Sequence, residues 1–259
     1  MGADGCSYYY HNPLSSREGL PRAAWYLVPC CPSNLSRTWA ALGRTILHTE
    51  GQDLWLHQYI SCTAPWGGSE SGLALDAGLP WEGNVRLSLH PQAAQAAALH
   101  LRIPSWAEDY ALTLNGAPLQ PGAVSGEQQI RATACGYMPT AARTLALNRT
   151  WQPGDVLELK LEMPIRLLRQ DPRVRGCGGK VAVTRGPLVY CLEGMDNPAV
   201  DIFDVTLNPD SLRAAYDDAL CGGAMRLLGR SRTGEALNFI PYFCWGNRGR
   251  SGMTVFVQV

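Results

Sequence analysis

An alternation of apolar and polar residues with a period of two constrains this chain more than any other feature. Val85, Leu87 and Leu89 are interleaved with Arg86, Ser88 and His90, and Leu99, Leu101 and Ile103 with His100 and Arg102. Leu157, Leu159 and Leu161 alternate with Glu158, Lys160 and Glu162, and Val255 and Val257 repeat the pattern near the end. Successive side chains of an extended strand point to opposite faces, so each run reads as a strand with one buried and one wet face. Asn115-Gly116, and Gly154-Asp155 after Pro153, supply the residues that tight turns need. Many short strands broken by turns predict a mainly β fold, an antiparallel β-sandwich built from one or two pairs of sheets.

The front of the chain reads differently. Residues 1–31 form an irregular lead-in rich in aromatics and proline, with Tyr8, Tyr9, Tyr10, Trp25 and Tyr26. Leu35, Trp39, Leu42 and Ile46 then recur at steps of four, three and four, which sets them on one face of a helix. Pro32 suits its first turn, Ser33 or Asn34 can satisfy the free amides there, and Gly51 stops it. A weaker helix is expected over Ser211 to Ala219. A lone amphipathic helix ahead of a sandwich has to bury its apolar face on the sandwich or on a neighbour.

Charge narrows the partners. Lys+Arg and Asp+Glu both number 22, so the chain has no basic field for nucleic acid or an anionic membrane. No apolar run approaches the roughly 18 residues of a membrane span. The nine cysteines are an odd count, and only Cys30 and Cys31 lie close together. That spacing is unlike a small disulfide scaffold, and Met1 to Tyr10 lacks the basic-then-apolar layout of a signal peptide. A cytoplasmic protein with free thiols is expected.

The sharpest local feature is Pro29-Cys30-Cys31-Pro32-Ser33-Asn34, directly before the helix. Unpaired amides and the helix dipole put positive potential at that end, which favours a thiolate as nucleophile or zinc ligand. Two adjacent cysteines cannot fill four zinc positions, however, and structural sites usually space paired cysteines by two to four residues. A pair of inert buried thiols and a vicinal disulfide fit the same residues. Trp66, Trp81, Trp106 and Trp151 suit sandwich corners better than a sugar platform. His48, His57, His90 and His100 show no metal-binding spacing, and Glu18, Glu50, Glu82 and Glu108, like the other glutamates, read as solvated charges. Gly176 to Lys180 has neither the spacing nor the hydroxyl residue of a phosphate loop.

The stretch Trp25-Tyr26-Leu27-Val28-Pro29-Cys30-Cys31-Pro32-Ser33-Asn34-Leu35-Ser36-Arg37 resembles the signature segment of glycoside hydrolase family 127. Tyr10-His11-Asn12-Pro13-Leu14 precedes it as in that family, and Leu54 to Ser61 follows as a strand. Further matches run in order: Leu79-Pro80-Trp81-Glu82-Gly83, Leu101-Arg102-Ile103-Pro104-Ser105-Trp106-Ala107, Trp151-Gln152-Pro153-Gly154-Asp155, Arg185-Gly186-Pro187-Leu188-Val189-Tyr190 and Ile240-Pro241-Tyr242.

The resemblance implies an (α/α)6 barrel followed by β-sandwich domains. It also implies a retaining β-L-arabinofuranosidase whose nucleophile is a zinc-bound cysteine thiolate in place of the usual carboxylate. Here the nucleophile would be Cys30 and the second zinc ligand Cys31, with Tyr10 and Asn12 lining the sugar pocket. The family's other zinc ligands, in a Glu-x-Cys segment, and its acid/base Glu lie upstream of the matched region. Cys6 follows Ala3-Asp4-Gly5 and so does not supply that segment.

Residues 1–65 are accordingly expected to be the remnant of the barrel, and 66–259 a sandwich region with room for two sub-domains. The chain is expected to be an inactive fragment that holds zinc weakly or not at all. Its partners would be an arabinofuranosyl-type sugar or plant-derived glycan, and a second copy through the exposed helix face. The alternative is a β-sandwich carbohydrate-binding or accessory module without catalysis, or a structural remnant whose helix seeks a partner chain.

Overall fold

The computed structural model describes residues 2–119, 127–130, 142–171, 173 and 178–259, with the backbone alone for 127–130 and 142. The chain is mainly β, as the alternation predicts. It divides into two compact units, Ser36–Met163 and the combination of Met1–Leu35 with Pro164–Val259.

The unit Ser36–Met163 is a sandwich. One sheet has the order Glu127–Ile130, Ala142–Trp151, Gln95–Ile103, Asp53–Leu56, Leu47–Glu50. The other has the order Cys62–Trp66, Ser69–Ala77, Asn84–Leu89, Asp155–Leu161, Tyr110–Leu114, Ala117–Pro118. Alternate residues of both sheets meet in a single core: Leu54, Leu99, Leu101 and Leu145 from the first, and Leu73, Leu87, Leu89 and Leu157 from the second, all fully buried. Burying one such side chain contributes ~1.5–3 kcal/mol, so the period-two pattern is also the stability of this unit. Trp66 and Trp151 fill the same core, and their indole N–H groups donate to the carbonyls of Gln52 at 3.0 Å and Ala97 at 3.1 Å.

One pairing departs from an all-antiparallel sandwich. Asp53–Leu56 runs parallel to Gln95–Ile103, with Leu54 opposite Leu99. The chain between them passes through three strands of the facing sheet, which supplies the long crossover a parallel pair requires. The expected turns are present: Asn115 (φ 52°) and Gly116 (φ 80°) close a two-residue hairpin, and Gly154 has φ 92°.

The second unit is built on a nine-stranded sheet that branches. Ser15–Ser16, Met253–Thr254, Leu188–Glu193, Ala236–Pro241, Ala224–Ser231 and Leu207–Asp217 lie in that order. Lys180–Arg185 pairs with Ile165–Arg169, Leu188–Glu193 and Phe256–Gln258. Val183, Tyr190, Leu192, Leu227 and Phe239 form its core.

Two expectations are corrected here. The segment Ser211 to Ala219 is not a helix, since its first seven residues end the strand Leu207–Asp217 and pair with Ala224–Ser231 from Arg213↔Leu228 to Asp217↔Ala224. The helix-favouring alanines 214 and 215 yield to a ladder of neighbours, as local propensity commonly does to tertiary pairing. The front helix is also shorter than its periodicity suggests. It spans Cys30–Ala41, is followed by a single turn Gly43–Ile46, and gives way to the strand Leu47–Glu50. Gly51, at φ 61°, turns that strand into Asp53–Leu56 and is a hairpin residue, not a helix stop. Of the four residues on the expected face, Ile46 alone is buried, while Trp39 is 61% exposed. None of the described helices is long and apolar enough to cross a membrane. Cys135, and Gly176 and Cys177 of the Gly176 to Lys180 stretch, lie outside the described residues.

Candidate functional site

The lead-in is held on the branched sheet by contacts that the sequence does not advertise. Ser15–Ser16 pairs with Met253–Thr254, and the Tyr242 hydroxyl donates to the Pro13 carbonyl at 2.8 Å. Tyr9 stacks on Trp245 with ring centroids 4.6 Å apart. Arg22 lies 4.2 Å over the other part of this pair, on the Tyr9 ring, and donates to the carbonyls of Phe243 and Trp245. The loop that receives Tyr9 is fixed by Glu193, whose side chain is 0% exposed. Glu193 accepts from the Gly246 N–H at 2.9 Å and from Arg248 at 2.7 Å, and Arg248 also pairs with Asp196. Glu193 thus corrects the reading of the glutamates as solvated charges, although Glu18, Glu50, Glu82 and Glu108 are exposed as expected.

With Tyr9 anchored, Tyr10 is directed at the start of the helix. Its ring packs on Tyr26 at 4.4 Å, and Tyr26 donates to the Tyr8 carbonyl. The Tyr10 hydroxyl accepts from the Cys31 N–H at 3.3 Å, lies 3.4 Å from the Cys30 sulfur, and also meets the Val28 carbonyl. A phenol therefore satisfies a free amide at this helix start. Ser33, one of the two residues expected in that role, instead donates to the Cys30 carbonyl at 3.0 Å.

Cys30 and Cys31 are both exposed, and their sulfurs are 3.9 Å apart. That separation is nearly twice a disulfide bond, so the two are free thiols; exposure rules out an inert core pair. The hydrogen bond from Tyr10 holds the Cys30 thiol below its ordinary range, with the neighbouring Cys31 as the next cause. The same bond pushes the Tyr10 phenol up. The positive end of the helix acts in the same direction on the sulfur.

The sulfur separation also tests whether the pair suits zinc. Two thiolates at ~2.3 Å from a tetrahedral metal sit ~3.8 Å apart, and the pair matches that spacing. Among the described residues no group of three or more His, Cys, Asp or Glu is placed to hold a metal. The residues present thus fit two of four positions. Asn12, two residues beyond Tyr10, is exposed and among the described residues has no recorded bond to either sulfur.

The sequence missed one further cluster. His48 and His57, nine residues apart, come together across the hairpin, with Nδ1 of the first 2.8 Å from Nε2 of the second. Trp55 stacks on His100 at 3.5 Å and lies beside His48. Burial pushes the His57 and His100 imidazoles down. Sequence spacing alone does not show this, because the neighbours are set by strand register.

Residues 53–163 match the family description "Beta-L-arabinofuranosidase, GH127 middle domain", and residues 165–258 match "Glycoside hydrolase family 127 C-terminal domain". A non-reducing end β-L-arabinofuranosidase of Bifidobacterium longum subsp. longum is 32% identical over 303 aligned residues, covering 99% of this chain and 42% of that protein. Among solved structures, a β-L-arabinofuranosidase from Geobacillus stearothermophilus T6 superposes with a TM-score of 0.84 at 28% identity, over 100% of this chain and 43% of the other. A further β-arabinofuranosidase gives a TM-score of 0.82 at 27% identity, over 99% and 42%. The chain spans less than half the length of the relatives it matches.

Proposed function

The chain belongs to glycoside hydrolase family 127, and from that premise we propose that it supplies the thiolate side of a retaining, zinc- and cysteine-dependent β-L-arabinofuranosidase centre. The observation that carries this reading is the arrangement at the helix start: two exposed sulfurs 3.9 Å apart, one of them 3.4 Å from a phenol. In it Cys30 is the nucleophile and Cys31 the second sulfur of the metal pair. A bound zinc would keep both sulfurs deprotonated at neutral pH.

The rest is the work of the chain's own residues. The Tyr10 hydroxyl, 3.4 Å from the Cys30 sulfur, stabilises its negative charge by turning its one O–H from the Val28 carbonyl to the thiolate. The Cys30 thiolate attacks the anomeric carbon, forming a carbon–sulfur bond as the glycosidic carbon–oxygen bond breaks. The leaving oxygen needs a proton, and water later releases the sugar with retention. Asn12 belongs to the same pocket.

In this reading the barrel remnant expected over residues 1–65 reduces to the lead-in and helix, because the strands Leu47–Glu50, Asp53–Leu56 and Cys62–Trp66 already belong to the sandwich sheets. On this reading the chain supplies the two sulfurs but neither the acid/base carboxylate nor the remaining metal ligands, so by itself it does not turn over. Exposed apolar side chains near the pair, Trp25 at 62% and Val28 at 66%, support a surface completed by more protein. Trp39, exposed on the helix, supports self-association of the isolated chain. The free thiols among the described residues are in keeping with a reducing, cytoplasmic compartment.

Zinc titration against a chromophoric chelator tests the reading. One weakly held equivalent is expected in the parent chain and none in Cys30→Ser or Cys31→Ser. Zinc uptake that survives both substitutions contradicts it.

A further inference from the structure

The unit Ser36–Met163 carries a built groove that the chemistry at Cys30 does not use. We propose that the outer face of its six-stranded sheet is a separate, non-catalytic binding site for a neutral oligosaccharide.

The alternation that buries Leu75, Leu87, Leu157 and Leu112 turns Asp76, Arg86, Glu158 and Thr113 to the other face. Strand register then sets these four in one row: Asp76 opposite Arg86, Arg86 opposite Glu158, Glu158 opposite Thr113. The row crosses four strands, or ~14 Å at the usual spacing between strands. Asn84 and Lys160 face each other alongside it, and Ala111, next to Lys160, leaves the floor low. Together they line a cavity of about 610 Å³, a size typical of ligand sites.

The polar groups are held before any ligand arrives. Glu158 accepts from Arg86 at 2.7 Å and from Thr113 at 3.1 Å, and Asn84 donates to Glu82 at 3.3 Å. Such pre-set groups lose little freedom on binding.

The lining then selects the ligand class. Carboxylates at Asp76, Glu82 and Glu158 are interleaved with the cations Arg86 and Lys160. There is no one-signed field to hold a phosphate chain or a bare metal ion. Among the described residues that line it none is aromatic, so a flat apolar ligand finds little to bury against. Closely spaced donors and acceptors of mixed sign, three carboxylates against two cations, suit vicinal hydroxyls, each of which both gives and accepts a hydrogen bond. The groove's length favours several linked sugars over one. That arabinose polymers are the first probe rests on the function proposed above; the preference for a neutral polyhydroxyl ligand does not.

Native electrophoresis of the full 259-residue chain through gels holding soluble arabinan, soluble xylan or polygalacturonate tests the proposal. Retardation by at least one neutral polysaccharide is expected. Lys160→Ala and Asp76→Ala, both surface changes checked by thermal melting, should each weaken it about tenfold, as loss of one charged hydrogen bond does. Cys30→Ser should leave it unchanged. The proposal is overturned if neither neutral polymer retards the chain, if polygalacturonate alone does, or if Lys160→Ala and Asp76→Ala both bind as the parent does. It is equally overturned if Cys30→Ser abolishes binding, which would place the sugar at the thiols. Loss of zinc binding with groove binding intact would count against the catalytic reading alone.

Discussion

Removing the Glu193 carboxylate should loosen the support of the thiol site from a distance. Glu193 is fully buried and accepts from the Gly246 N–H and from Arg248. A buried donor left without its acceptor costs ~1–3 kcal/mol, and breaking a buried ion pair ~3–5 kcal/mol. Arg248 is 28% exposed and keeps Asp196 at 2.9 Å, so the lower end applies and Glu193→Ala is expected to cost ~3 kcal/mol. For a unit of this size that lowers the melting midpoint by ~10 °C. Glu193→Gln keeps the volume and an acceptor for Gly246, and should cost ~1–2 kcal/mol. Two units need not melt together, so circular dichroism should be paired with peptide-resolved hydrogen exchange. Faster exchange should appear in 242–248 and in the lead-in stacked on it, and not in Ser36–Met163. Both variants within ~0.5 kcal/mol of the parent would refute the idea that this network anchors the loop beneath Tyr9.

Other outcomes follow from the same geometry. Tyr10→Phe removes the leading cause of the lowered Cys30 thiol, so the pH midpoint of its alkylation should move up towards that of an ordinary cysteine. Because a lowered midpoint means more thiolate at neutral pH, alkylation of Cys30 near pH 7 should slow in this variant; an unchanged pH profile would exclude Tyr10 from that role. Leu87→Ala leaves a cavity where a fully buried side chain meets both sheets of the sandwich, and should cost ~3 kcal/mol in the unfolding of that unit. A cost under ~1 kcal/mol would mean the core is not packed as described.

Much of the fold was legible in the sequence because one physical rule, alternation across a pleated strand, governs a half-buried sheet. Leu87, Leu101 and Leu159 are buried where their period places them, and Asn115-Gly116 turns where its conformational freedom allows. Ser211 to Ala219 was misread because a strand that ends a hairpin is specified by its partner, and Ala214-Ala215 carries no trace of that partner. The front helix was overextended because Leu47 to Glu50 continues a helical spacing while its hairpin mate, Asp53–Leu56, draws it into a sheet. At the site, the Cys30–Cys31 pair and Tyr10 were visible as motifs. The Glu193 network and the stacking of Tyr9 on Trp245 were not, since the first joins Glu193 to Gly246 and Arg248 and the second joins opposite ends of the chain, each through the folded sheet.

The reactivity of Cys30 relative to the other thiols is the most direct measure of whether the helix start is a poised nucleophilic centre. Limiting alkylation of the folded, metal-free chain near neutral pH, resolved cysteine by cysteine by peptide mass, compares it with Cys6, which is also exposed. Cys30 should be modified first, and added zinc should slow its modification and that of Cys31 while leaving Cys6 unaffected. Labelling of Cys6 as fast as Cys30, with no protection by zinc, would contradict the account.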